Sequence, residues 1–332
     1  MFILKSYSLA VVFCIVTMLC WGSWANTQKL AKKQWPFQLY YWDYSLGVMI
    51  ITTSLAFTLG SIGTNGRSFL IDLAQADLHY IIQAFIGGVI FNFANLLLVI
   101  AIEIAGMAIA FPIGIGLALV LGVITNYDPL QTNHALVMWG GVVLITLAIL
   151  LDAFAYRQLP KKGNNSTVKG ILFSILAGIS MGFFYRYVAS SMVSDLIHPE
   201  GGKLTPYTAL VIFSLGLMIS NVVFNTINMY KPVSGMPVTF IQYFRDGNLR
   251  LHLIGILGGI IWGLGMSLNI LASGVAGPAL AYGLGQGATL VAAIWGVFIW
   301  KEFKGLPADK NWIVFIMFCC FISGIILLVY SK

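Results

Sequence analysis

Ten long apolar runs leave this chain few ways to fold. They lie at about Tyr7–Trp24, Tyr40–Leu59, Tyr80–Ile102, Ala105–Ile124, Ala135–Ala153, Gly170–Ser190, Tyr207–Ile227, Leu253–Ala272, Pro278–Trp300 and Trp312–Tyr330. Each is near the roughly 20 residues with which an α-helix crosses the hydrocarbon of a bilayer. A membrane barrel would instead alternate polar and apolar residues over about 10-residue segments, and no run does so. With 59% hydrophobic and 9% charged residues, the chain has too little polar surface to wrap one soluble core. The pattern predicts an all-α integral membrane protein with ten transmembrane helices. The first run follows Lys5 as a leader would, but it is long, ends in Trp21-Gly-Ser-Trp-Ala25 and enters a basic loop, so it is read as a retained helix.

The formal charge of +7 sits between the runs rather than on one basic face, which argues against a nucleic-acid partner and makes it a marker of orientation. Thirteen Lys and Arg residues outside the runs, among them Lys29, Lys32, Lys33, Arg157, Lys161, Lys162 and Lys169, fall on one side. Four, Lys5, Arg67, Lys203 and Lys332, fall on the other. The excess predicts a cytoplasmic face for the first set, a multi-pass protein of the cell membrane, and both termini outside the cytoplasm. Cys14, Cys20, Cys319 and Cys320 all lie within apolar runs without histidine partners at ligand spacing, so neither a zinc site nor a disulfide framework is expected.

The chain also repeats itself. Residues 81–120 laid over 252–291 without a gap give 13 identities in 40, including Gly87/Gly258, Gly88/Gly259, Gly106/Gly277, Gly114/Gly285 and Gly116/Gly287. The match covers two runs and their junction, placed at a break around Glu103, so the repeated unit is a helical hairpin. Five runs per half is an odd number, which makes the second copy cross the membrane in the opposite sense. Two inverted five-helix repeats, 1–156 and 170–332, are therefore expected, joined by a cytoplasmic linker over 157–169 with Pro160, Gly163, Asn164 and Asn165 as turn residues. More loosely, Asp43-Tyr44 can be set against Pro206-Tyr207.

Within that frame the polar residues inside runs are the candidates for function. Asn92 and Asn95 lie three apart on one helix face, and Asn269 and Gln286 add amides to the duplicated core. Asn221, Asn225 and Asn228 form a further stripe. Amides donate and accept, which suits an uncharged polar ligand, and they serve interhelical bonding as readily. Trp21 and Tyr282 are candidates to stack on a ring. Arg186, seventeen residues after Lys169, either faces a cavity, where its fork fits paired oxygens, or snorkels to the outer interface. Asp43 is either a coupling-ion site at the cytoplasmic mouth or a carboxylate at a helix start. Pro112, with Gly114, Gly116, Gly285 and Gly287, marks where a helix break or hinge is expected, close packing being the alternative. The histidines, His252 among them, are expected to be solvated. No nucleophile, acid–base pair or metal cluster lies within the runs, so neither an enzyme nor a cofactor is expected.

At this point the residues resemble a known family. Cys20-Trp-Gly-Ser-Trp24, Tyr41-Trp-Asp-Tyr44, Asn92, Asn95 and Gly106-Met-Ala-Ile-Ala-Phe-Pro-Ile-Gly114 look like the bacterial relatives of the ureide permeases and the glucose/ribose uptake porters, within the drug/metabolite transporter superfamily. The resemblance implies a secondary transporter that imports a small polar metabolite, a sugar, ureide or nucleobase, by alternating access with proton coupling. The alternative within the superfamily is an exporter of drugs or metabolites. The long central loop of plant ureide permeases, described as nucleotide-binding, is short here and contains no G-x-x-x-x-G-K-[ST].

Overall fold

The computed structural model describes residues 1–31, 35–159, 167–233 and 235–332. Lys32, Lys33 and, of the expected linker, Pro160 through Ser166 lie outside the described residues. The helices are α1 (Tyr7–Ser23), α2 (Ala25–Ala31), α3 (Phe37–Phe57), α4 (Phe69–Gln75), α5 (Leu78–Ala105), α6 (Met107–Asn126), α7 (Ala135–Arg157), α8 (Thr167–Ser191), α9 (Pro206–Tyr230), α10 (Phe240–Arg245), α11 (Leu249–Ala276), α12 (Pro278–Gly285), α13 (Ala288–Ile294) and α14 (Asn311–Tyr330). A π-turn, Trp295–Ile299, extends α13.

Among the described residues, nine helical segments are long and apolar enough to cross a membrane. They are α1 with α2, α5 to α9, α11, α12 with α13 and its π-turn, and α14. The remaining run became α3, equally long at 21 residues, but Gln38, Asp43 and a belt of tyrosines make its first half more polar than the others. α3 hides that half by packing between α9 and α11. Tyr40, Tyr41 and Tyr44 are wholly buried there.

Glycines fix how the central helices cross. A Cβ at Gly88 would lie 2.0 Å from the Phe213 carbonyl oxygen and 2.8 Å from the Leu217 nitrogen, so α5 and α9 touch backbone to backbone. Gly259 stands in the same relation to Tyr44 and Val48 of α3, again at 2.0 and 2.8 Å. The converse contacts agree: a Cβ at Gly216 would meet the Phe85 oxygen at 2.1 Å, and one at Gly47 the Ile256 oxygen at 2.1 Å. α5 thus lies on α8 and α9 as α11 lies on α1 and α3. Gly47 and Tyr44 of α3 thus meet α11 as Gly216 and Phe213 of α9 meet α5.

The hairpin junction is at Gly106, not Glu103, which lies inside α5. Gly106 has φ 81° and ψ 160°, and its counterpart Gly277 has φ 90° and ψ 146°, a region that costs any residue with a Cβ dearly. Each turns the chain between two membrane helices with one residue. The expected break at Pro112 is absent: α6 runs through it unbroken, the proline falling early in the helix where it removes a single ladder bond. In the second copy a break does occur, between Gly285 and Ala288.

Candidate functional site

A cavity of about 550 Å³ opens in the middle of the bundle. Its deep wall is aromatic, with Trp21 of α1, Phe91 of α5, Phe184 of α8 and Trp262 of α11. Trp262 stacks on Phe91 at 4.3 Å between ring centroids and on Trp21 at 5.9 Å with only 11° between the planes. Trp21 Nε1 donates to the Trp262 carbonyl at 3.3 Å, which holds its plane against α11. Gly285 makes room, since a Cβ there would lie 2.8 Å from the Trp21 ring.

Polar atoms are set around these planes. Asn95 lines the cavity while its Nδ2 donates to the Tyr41 hydroxyl at 3.0 Å, so its carbonyl orientation is fixed from behind. Gln286 enters from the break between α12 and α13, and Gln28, Gln38 and Thr289 stand nearer the mouth. The mouth itself is bounded by Lys29, Glu103 and the segment at Gly235, Met236 and Val238. Lys29 is engaged, its Nζ lying 2.5 Å from Glu302 Oε1, and Tyr156 donates to the other oxygen of that carboxylate.

The opposite end of the bundle contributes nothing to the cavity wall and is tied shut. There Arg67 donates Nε to Asp72 at 2.8 Å, Nη1 to the Glu200 carbonyl at 2.9 Å and Nη2 to the Lys203 carbonyl at 2.7 Å. The second oxygen of Asp72 accepts from the Thr205 amide at 2.7 Å. The cavity therefore opens toward the side whose loops are rich in Lys and Arg.

Of the residues singled out in the sequence, Trp21, Asn95 and Gln286 line this cavity. The others lie elsewhere. Asn92 is buried behind it, donating to Ser220 Oγ at 2.8 Å. Asn269 is consumed in packing: Nδ2 donates to the Ala281 carbonyl at 2.8 Å and Oδ1 accepts from the Tyr185 hydroxyl at 2.7 Å. The Tyr282 hydroxyl lies 3.1 Å from the Met181 carbonyl and is closed off from solvent. Arg186 is exposed and donates Nη1 to the Thr125 carbonyl at 2.9 Å, at the C-terminal end of α6 where a cation is favoured. Gly114 packs against Leu98, and the nearest neighbour of a Cβ at Gly116 is Ile149.

Asp43 is buried outside the cavity, between α3, α10 and α11. It accepts from the Tyr243 hydroxyl at 2.5 Å, and His252 Nδ1 lies 3.0 Å from each of its oxygens. His252 is therefore paired, where solvation was expected. The first bond ties α3 to α10, which follows the mouth residues Gly235 to Val238 in the chain, and the second ties α3 to α11.

Sequence reasoning passed over Trp262 and Phe91. The signal was present, since the two are equivalent positions of the duplicated hairpin, both aromatic but not identical. In the structure the two rings stack on each other in the cavity wall.

The comparisons with known proteins agree with this architecture. The Ureide permease family model matches residues 40–165 and 155–331. Ureide permease 2 of Arabidopsis thaliana is 24% identical over 398 aligned positions, covering 100% of this chain and 99% of its own. A Listeria innocua protein named for sugar uptake is 24% identical over 255 positions, covering 74% of this chain and 75% of its own. A solved crystal structure superposes with a TM-score of 0.62 over 97% of this chain and 96% of its own at 13% identity, a likeness of fold. On the extent of the family match, this multi-pass membrane protein belongs to the ureide permease family.

Proposed function

We propose that the chain is a secondary transporter importing a small, uncharged polar metabolite, a sugar, ureide or nucleobase, by alternating access with proton coupling. The observation that carries this reading is the cavity, open at one end of the bundle and sealed at the other, with flat aromatic walls, several lining amides and one of them, Asn95, held in fixed orientation. Aromatic planes suit the face of a ring, and amides suit its edge of donors and acceptors. Lys29 is paired with Glu302, which leaves the pocket suited to a neutral ligand. The ureide permeases of Arabidopsis and the Listeria sugar uptake protein are named for ligands of this kind.

The reading takes the halves 1–156 and 170–332 as inverted repeats that rock against each other. The matching crossings of Gly88 on α9 and Gly259 on α3 support it. With the Lys- and Arg-rich loops in the cytoplasm, both termini lie outside and the conformation described is inward-facing. Asp43 is the proposed proton-coupling group. Protonation would weaken its hold on His252 and Tyr243 and so free the mouth segment, linking the proton to the gate.

The test is uptake of a labelled panel of sugars, allantoin and nucleobases into proteoliposomes, with and without an inward proton gradient. Gradient-stimulated accumulation of one compound supports the reading, and Asp43→Asn should then retain binding but lose the stimulation. No accumulation under proton or sodium gradients in a folded preparation would remove import and leave the exporter.

A further inference from the structure

Three helices that meet beside the cavity are joined pairwise, so that hydrogen bonds from side chains link each to the other two in a ring of helices. From α5 to α3, Asn95 Nδ2 donates to the Tyr41 hydroxyl at 3.0 Å. From α5 to α9, Asn92 Nδ2 donates to Ser220 Oγ at 2.8 Å. From α9 to α3, Asn221 Nδ2 donates to Ser45 Oγ at 3.3 Å, and Asn225 Nδ2 donates to the Gln38 carbonyl at 2.8 Å.

The direction of these bonds is set by the partners. Ser220 Oγ already gives its proton to the Leu217 carbonyl at 3.1 Å, and Ser45 Oγ gives its own to the Trp42 carbonyl at 2.8 Å. The Gln38 partner is a carbonyl and can only accept. Asn92, Asn221 and Asn225 must each present the amino side to the partner, which leaves three amide oxygens. All three residues are fully buried, and none of these oxygens has a hydrogen-bond partner among the described residues. The hydroxyls of Tyr44, beside Ser45 in sequence, and of Thr226, beside Asn225, are likewise buried and without a partner among the described residues.

We propose that this α3–α5–α9 junction is a sodium site, with the side-chain oxygens of Asn92, Asn221 and Asn225 as ligands. A buried acceptor left unpaired is costly in a membrane interior, and amides are not retained there without something to satisfy them. What remains over is three amide acceptors against two hydroxyls, an excess that ordered water fills poorly because water must also find acceptors for its own protons. A cation takes oxygens alone. The ring itself is neutral, and Asp43, the carboxylate of α3, is occupied by Tyr243 and His252. Neutral hard oxygens fit a monovalent cation and are too weak a field for calcium or magnesium. Asn95 and Gln38 belong both to this ring and to the cavity wall, so an ion here holds two residues of the wall in position. Binding of ion and of cavity ligand would then be linked reciprocally.

Thermal unfolding of the purified full chain in detergent, in sodium, potassium and choline chloride at equal ionic strength, tests this without any transported compound. The expected result is a saturable rise in Tm with sodium that the other two salts do not reproduce. In Asn92→Leu and Asn221→Leu the half-saturating sodium concentration should rise roughly tenfold or more, the loss of one ligand group. Where a leucine variant fails to fold, Asn221→Ser, which keeps a smaller polar group on the same helix face, should show the same weakening. Equal unfolding in the three salts, or a sodium effect with an unchanged midpoint in these variants, overturns the site. Because the readout is binding, failure of uptake for every compound in the panel would leave it standing.

Discussion

Gly88→Ala is a small change with a calculable consequence. The new Cβ would lie 2.0 Å from the Phe213 carbonyl oxygen and 2.8 Å from the Leu217 nitrogen, both backbone atoms in the interior of α9 that no rotamer change can move. Restoring ordinary contact at 3.4 Å requires α5 and α9 to part by about 1.4 Å. A radial gap of only 0.5–1 Å already forfeits roughly a quarter to a half of each dispersion contact, so most of the seam is lost. Overpacking of a tight core costs about 1–3 kcal/mol, and a contact with immobile backbone belongs at or above the top of that range, so about 3 kcal/mol is expected. Gly259→Ala, with the same two distances to Tyr44 and Val48, should cost a similar amount. Gly274→Ala is the control: it lies exposed in α11 with nothing within 4 Å of the added carbon, and should stabilise by about 0.5–1 kcal/mol through helix propensity. A denaturant titration of the three variants in micelles reads these differences. If Gly88→Ala unfolds within about 0.5 kcal/mol of the parent, the helices are not in backbone contact and the reasoning fails.

Trp262→Ala removes a ring stacked on both Phe91 and Trp21, and each such pair is worth about 0.5–1.5 kcal/mol. Apparent KM for the transported compound should rise at least severalfold at normal membrane abundance, and an unchanged KM would place the ligand elsewhere. Arg67→Ala strands the buried carboxylate of Asp72 and two loop carbonyls, a loss of about 3–5 kcal/mol that unfolding in detergent would register. Arg186→Ala should leave uptake near that of the parent and cost about 0.3–1 kcal/mol, the value of a cation at a helix C-terminus. Abolished uptake with normal abundance would return Arg186 to the ligand site.

The helices were legible because a bilayer requires long apolar runs, and each run became helical within a few residues of its expected ends. The hairpin junction lies three residues beyond the expected Glu103, because a single charge near a helix end does not stop the helix whereas Gly106, matched by Gly277, turns the chain at positive φ. At the site, Trp21, Asn95 and Gln286 were readable as polar or aromatic exceptions within apolar runs. Asn269 and Tyr282 gave the same signal, and only packing tells a group that faces a cavity from one that binds a neighbouring helix. The partners of Asp43 were out of reach, since about 200 residues separate it from Tyr243 and His252 and no periodicity brings them together.

The polar first half of α3 has a consequence for how the protein is made. A helix with an Asp near its start gains little from entering lipid alone, the translocon penalty for that residue being about 2.5–3.5 kcal/mol at a helix centre. Thr27, already made, partners the Tyr40 hydroxyl, but the groups that satisfy Ser45, the Gln38 carbonyl and Asp43 come from later in the chain: Asn221, Asn225, and Tyr243 with His252. When α3 leaves the ribosome, none of them has been synthesised. α3 must therefore wait at the edge of the translocon, or lie incompletely inserted, until α9 and α11 arrive to enclose it. Lesions in α9 should then surface as mis-inserted and degraded chains, a defect of biogenesis located far from the helix that suffers it.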